Sequence, residues 1–253
     1  MRTLLARSVF FAFGADLFPA EAQDRVNAPH THGWYMYFGD HPIKKSRWGV
    51  HLEGQWRRHD VVNKWQQSFY RPAVNYDLTP NVSLTAGVAF ADTFRYGKYP
   101  AAERFPEFRI FQQAQLRHSS GRVQFAHRYR LEQRYIGEVS RNEAGDKELT
   151  RMRYENRFRY MFRFTVPLKG QATEKGGLYA AIYNEMMVNF GRNVAANVFD
   201  QNRLYGALGY AVGKYNRLET GYLLQTIQQR NGRIFEQNHT LQVAWYSTLP
   251  FGR

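Results

Sequence analysis

Seven glutamates and eleven arginines carry the only chemistry that repeats along this chain. Glu53, Glu107, Glu132, Glu155, Glu185, Glu219 and Glu236 fall on the polar parity of successive alternating segments. On that same parity stand Arg57, Arg109, Arg128, Arg130, Arg134, Arg151, Arg153, Arg157, Arg159, Arg163 and Arg203. A guanidinium is a planar fork that meets a carboxylate through two parallel hydrogen bonds, so it tolerates enclosure better than a lysine ammonium does. The 253 residues hold 27 arginines but only 8 lysines, within a net charge of +14. Because the arginines sit inside alternating segments and not in tails or a helical stripe, the charge points inward to a lumen network. Nucleic acid is not an expected partner. Two uses fit such a network: a structural ladder of crossed ion pairs filling a narrow barrel, or an anion-favouring lining, since the arginines outnumber the carboxylates.

Other constellations are weaker. His118-Ser119-Ser120-Gly121-Arg122 superficially resembles the His-x-Ser-Asn-Gly-Arg signature of outer-membrane phospholipases, without the Asn. Ser-Ser-Gly is ordinary turn chemistry, so the pentad is read as a tight turn and no catalytic residue is assigned. His30, His32 and His41 lie in a polar N-terminal stretch without cysteine or carboxylate at ligand spacing. They are read as a solvated tail, with no metal site. The glycines between Gly206 and Gly213 lack the strand-then-helix setting of a dinucleotide loop, and no cofactor is expected.

The elements that must position the charges alternate with period two, the mark of strands with two unlike faces. Trp48, Val50, Leu52 and Trp56 oppose His51, Glu53, Gln55 and Arg57. Phe125, His127, Tyr129 and Leu131 oppose Gln124, Arg128, Arg130 and Glu132. Tyr154, Phe158, Tyr160, Phe162 and Phe164 oppose Arg153, Glu155, Arg157, Arg159 and Arg163. A soluble sandwich would bury the apolar face and hydrate the charged one. Three features favour the inverse arrangement of a transmembrane barrel. The alternating runs reach about 12 to 18 residues, beyond the usual 5 to 6 of soluble strands. Aromatics gather towards the ends of the apolar faces, as interfacial girdles do. Short connections at 77–81, 119–121 and 213–216 trade places with long polar ones at 93–105, 136–148 and 191–198, as in barrels with short periplasmic turns and longer outer loops.

Mean hydropathy of −0.60 and the lack of a long apolar run exclude a helical membrane bundle. The absence of cysteine excludes disulfide scaffolds. Residues 1–22 read as an export signal: Arg2 and Arg7, an apolar stretch over 8–19 interrupted by Asp16, then Ala20-Glu21-Ala22. Residues 23–46 read as a polar N-terminal segment with a short accessory or closing strand at 33–38, and 47–253 as the barrel. About ten spanning strands are expected, with twelve as the alternative, since bacterial barrels use even numbers. In 64–77, Pro72 cannot donate to a ladder, which predicts a bulge.

Several of these strands carry a family resemblance. Pro106-Glu107-Phe108-Arg109-Ile110-Phe111-Gln112-Gln113, His127-Arg128-Tyr129-Arg130-Leu131-Glu132-Gln133-Arg134, Arg153-Tyr154-Glu155-Asn156-Arg157-Phe158-Arg159-Tyr160, Gln201-Asn202-Arg203 and Leu218-Glu219-Thr220-Gly221-Tyr222 resemble the uncharacterised bacterial family called domain of unknown function 2490, over about 34–251. The resemblance implies a barrel in the bacterial outer membrane with no assigned activity, and supplies no catalytic residue. The expected function is therefore a non-enzymatic outer-membrane β-barrel, structural or a narrow anion-favouring channel, whose partners are membrane lipid and small anions. The alternatives are a barrel enzyme of lipase or protease type with its site on the outer loops and, third, a soluble anion-binding β-sandwich.

Overall fold

The computed structural model describes residues 25–252, apart from 98 and 100. The expected export signal lies outside the described residues. The chain forms eleven strands: β1 (Val26–Pro42), β2 (Trp48–His59), β3 (Lys64–Thr79), β4 (Val82–Thr93), β5 (Phe105–Ser120), β6 (Val123–Arg141), β7 (Lys147–Lys169), β8 (Leu178–Phe190), β9 (Phe199–Ala211), β10 (Asn216–Gln228) and β11 (Ile234–Ser247). Consecutive strands pair antiparallel, and β1 closes the barrel by pairing parallel with β11, from Val26↔Ile234 to Gly39↔Ser247. An odd number of up-and-down strands can close only through one parallel seam.

That seam corrects the expectation of ten or twelve strands and of a polar segment over 23–46. The segment read as a short accessory strand is a full barrel strand. Its faces disguise it: Trp34 and Met36, 1 % and 8 % exposed, point into the barrel with Tyr205, Leu223 and Ala244, while its outer face carries Gly33, Tyr35 and Tyr37. With apolar residues inside and no charged alternation, β1 lacks the pattern that marks its neighbours.

Elsewhere the polar parity lines the interior and the apolar parity the outside. Trp48, Phe90, Phe158, Leu208 and Tyr222 are among the exposed large hydrophobics, whereas Glu132 and Glu236 are fully buried. Outer aromatics form two girdles. One runs Trp56–Tyr70, Phe90–Phe108, Phe108–Tyr135 and Tyr135–Tyr154 with ring centroids 6.3, 5.3, 6.1 and 5.2 Å apart. The other lies towards the opposite rim and includes Trp48–Tyr76 at 4.7 Å and Phe125–Phe162 at 6.1 Å.

Connections at 80–81, 121–122 and 212–215 are tight, and 170–177 on the same rim is longer. On the other rim lie 60–63, 94–104, 142–146, 191–198 and 229–233. The predicted loop at 136–148 is mostly strand, because β6 and β7 continue past their neighbours as a hairpin over Arg141↔Lys147. In β3 the register shifts fall at both ends, while at Pro72 the register is kept but the ladder to β4 is interrupted, with no pair between Tyr70↔Phe90 and Ala73↔Gly87. Register shifts occur where Gln66 is skipped opposite Arg57 and Arg58, and between Asp77 and Thr79. Gly87 stands beside this gap at close approach: a Cβ there would lie 2.4 Å from the Ala73 Cβ and 2.5 Å from the Pro72 carbonyl oxygen.

Candidate functional site

Inward-pointing residues on neighbouring antiparallel strands share a face of the sheet, and in a closed barrel that face is a lumen. Glu132 on β6 stands opposite Arg157 on β7. Its Oε2 accepts hydrogen bonds from Arg157 Nε at 2.8 Å and Nη2 at 2.6 Å. Its Oε1 accepts from Arg159 Nη1 at 2.8 Å and from Arg71 Nη2 at 3.3 Å, with Arg130 Nη1 3.9 Å away. Four arginines thus surround one carboxylate that is fully buried.

The same sharing recurs around it. Glu185 accepts from Arg159 Nε at 3.0 Å and from Arg128 Nη2 at 2.7 Å, with Arg203 at 3.5 Å. Glu107 takes both nitrogens of the Arg109 fork, at 2.7 and 2.8 Å, and Arg134 Nε at 2.6 Å. Glu53 accepts from Arg71 Nη1 at 2.5 Å. Glu219 is held by Arg163 and by the Tyr179 hydroxyl at 3.0 Å. Isolated buried charges would be prohibitive, but each carboxylate here meets at least one guanidinium, and Glu107 and Glu132 take forked pairs of nitrogens, the condition under which buried ion pairs are tolerated. The result is a belt across the middle of the lumen. Arg71, Arg130, Glu132, Arg157 and Arg159 are each at most 5 % exposed.

Four of the sequence-derived network residues take other places. Arg151 is 68 % exposed on the projecting β6–β7 hairpin and pairs with Glu138, so it lies outside the lumen. Arg57 has no carboxylate within 4 Å among the described residues; it donates to Gln55 and Gln67 and stacks 3.9 Å over Trp34. Glu236 meets no arginine among the described residues, and is hydrogen-bonded by Gln229, Asn238 and the Tyr96 hydroxyl. Glu155 stands opposite Arg134 in the ladder, yet its ion pairs are with Arg153 and with Arg230 of the 229–233 connection, at 2.6 Å for the latter.

Sequence reasoning missed three contributors. Arg71 precedes the proline that obscured β3. Asp200 accepts from Arg157 Nη1 at 2.7 Å and sits at the start of β9, where no alternation has yet begun. Gln66 is the residue skipped by the register shift, so it points inward beside Gln67, and its side-chain oxygen accepts the Trp34 indole N–H at 2.8 Å. Only the shift could have revealed it.

The histidines read as a solvated tail belong to β1. His32 is fully buried; its ring lies 5.2 Å from His59 and 5.4 Å from Tyr96. His41 is 4 % exposed and shares a 2.8 Å hydrogen bond with the Leu249 carbonyl. Among the described residues no group of three or more His, Asp or Glu is arranged to hold a metal ion. His118 stacks on Phe125 at 4.9 Å, on the outer face, and Ser119–Ser120 end β5 at the tight turn.

Between the belt and the tight-turn rim the lumen opens into a cavity of about 870 Å³. Trp34, Arg71 and Arg159 line its inner part, and Asn81, Ser119, Thr173 and Thr248 its mouth. Among the described residues, none from the connections of the other rim lines it.

These features define a closed antiparallel β-barrel with a parallel seam and an ion-paired interior. Over residues 31–236 the chain matches the family model described as a protein of unknown function, DUF2490, and it belongs to that family. Among solved structures it is similar to one titled "NanC porin structure in rhombohedral crystal form", with 13 % sequence identity, 80 % of this chain and 90 % of that chain covered, and a TM-score of 0.45. No curated protein matches it.

Proposed function

We propose that this chain is a non-enzymatic β-barrel of the bacterial outer membrane, held open in shape but closed to flow by its central ion-pair belt. The observation that carries the reading is the inversion of the usual distribution. Charge fills the inside, while Leu52, Val74, Phe158, Ile182, Leu204 and Leu241 lie exposed around the outside. A surface of that kind is unstable in water and is matched by lipid. The two aromatic girdles flank it as interfacial residues do.

Within this reading the structural role outweighs the narrow anion channel. A channel needs a continuous path, and Glu132 with its four arginines, none more than 5 % exposed, fills the middle of the lumen. Ordered ion pairs stiffen the wall from within, much as an apolar core would in a soluble domain.

The test is extraction and reconstitution. The folded chain is expected to need detergent, to show heat-modifiable migration on a gel, and to give negligible current in planar bilayers. A monodisperse, detergent-free chain would overturn membrane placement. A steady anion-selective current would overturn the closed belt and restore the channel.

A further inference from the structure

The cavity on the tight-turn side carries more positive charge than the wall needs for its own pairing. Eight arginines and four carboxylates line it. The carboxylates are already engaged: Asp40 by His51 and Asn75, Glu53 by Arg71, Glu185 by three arginines, and Glu219 by Arg163 and Tyr179. What is left over is cationic. Arg117 and Arg217 have no carboxylate within 4 Å among the described residues, and the one side-chain hydrogen bond of Arg117 is a 3.4 Å contact with Ser83. Deeper in, Arg130 is 2 % exposed, yet among the described residues its Nη1 has no hydrogen-bond partner, and neither has Arg128 Nε.

The positions of these groups limit what would satisfy them. Arg117 stands on β5 and Arg217 on β10, five strands apart in an eleven-strand ring, so they face each other across the mouth. A single small ion meets one wall only. A molecule with anionic groups at both ends meets both, and its middle lies against the phenol rings of Tyr179, Tyr183 and Tyr246, which line the cavity between them. Gly209 makes room for this wall: a Cβ there would lie 2.1 Å from the Tyr179 ring. Low-dielectric walls focus the field of the excess guanidinium groups into the cavity, and their forks fit carboxylate and phosphate oxygens alike.

We propose that this blind vestibule binds a small oligoanion, carrying carboxylate or phosphate groups at two separated ends, which enters from the tight-turn rim. The inference rests on the closed-barrel reading and adds a ligand to it. Neither the central belt nor the membrane-facing wall requires Arg117 or Arg217.

The test uses the full chain folded in detergent micelles, with heat-modifiable migration as the check of folding. Binding is measured by calorimetry with inorganic tripolyphosphate and with adipate as two-ended probes, and with acetate as the one-ended control. The expected result is saturable binding of at least one two-ended probe, tighter than acetate. Which probe binds tells phosphate from carboxylate. Arg117→Ala and Arg217→Ala should each weaken binding about tenfold, as loss of one charge-assisted contact does, while Arg151→Ala on the opposite hairpin leaves it unchanged. The proposal is overturned by a folded barrel that binds neither two-ended probe. It is equally overturned by affinities unmoved by both vestibule substitutions, by an equal loss in Arg151→Ala, or by acetate binding as tightly. A chain that does not fold into micelles as a heat-modifiable species sinks the barrel reading instead, so the two failures are distinct.

Discussion

Arg130 and Arg159 stand directly opposite each other on β6 and β7, two guanidinium side chains paired across an antiparallel ladder. Like charges in that relationship are destabilising on their own. Here each is drawn aside by a different acceptor. Gln113 takes Arg130 at 2.9 Å, Glu185 takes Arg159 at 2.7 Å, and Glu132 lies against both. Arg109 and Arg134 repeat the arrangement across β5 and β6, bridged by Glu107. The lumen is therefore a set of repelling rungs clamped by shared carboxylates.

Glu132→Gln should cost about 3 to 5 kcal/mol of folding stability, the scale for breaking an enclosed ion pair, since it leaves several guanidinium groups underpaired. Glu155→Gln should cost less, because its partner Arg230 is 43 % exposed and can rehydrate. Urea titration of the folded barrel in lipid vesicles reads both. Equal losses would mean that burial of the partner does not govern the cost.

Phe158 lies near the middle of the outer face of β7, opposite Leu131 and Val188. Phe158→Arg should destabilise the barrel in bilayers by about 2 to 4 kcal/mol, as charges do at the midplane on a lipid-facing surface. The check is the same titration. A neutral outcome would place this face in water.

Ser120→Ala should leave any lipase assay unchanged, since the His118 ring is stacked on Phe125 and His127 at a strand end. A lipase activity abolished by that one substitution would restore the enzyme reading.

Glu103, in the 94–104 connection, is held below its ordinary carboxylate value by hydrogen bonds from Lys147 and Arg141 at the hairpin tip. A carboxylate depressed by folding contributes stability that is full above its ordinary value of 4.5 and is lost as pH falls through the lowered one. The hairpin tip should thus be tethered at neutral pH and released in acid. Hydrogen exchange of residues 142–147, corrected for intrinsic rates, should accelerate on acidification, and Glu103→Gln should reproduce that release at neutral pH. Protection that is the same at both pH values would count against the tether.

Alternation alone set which way nine of the strands face. Alternation in β2 and in β4–β11 needs only a period of two, and a face rich in Arg and Glu cannot share an environment with one rich in Phe and Leu. Alternation could not recover β1, whose Trp34 and Met36 point inward, nor Gln66, which reaches the lumen through a register shift. Pairing lay further out of reach. Glu132 finds Arg157 across one ladder, as neighbouring strands of like parity suggest, yet it also meets Arg71 of β3 across the lumen. Glu155 passes over the Arg134 opposite it for Arg230 of a distant turn. Such partners are chosen by the curvature and closure of the barrel, which bring together side chains from strands that never touch. Parity is a local property of the chain, whereas the identity of a buried charge's partner is a property of the closed ring.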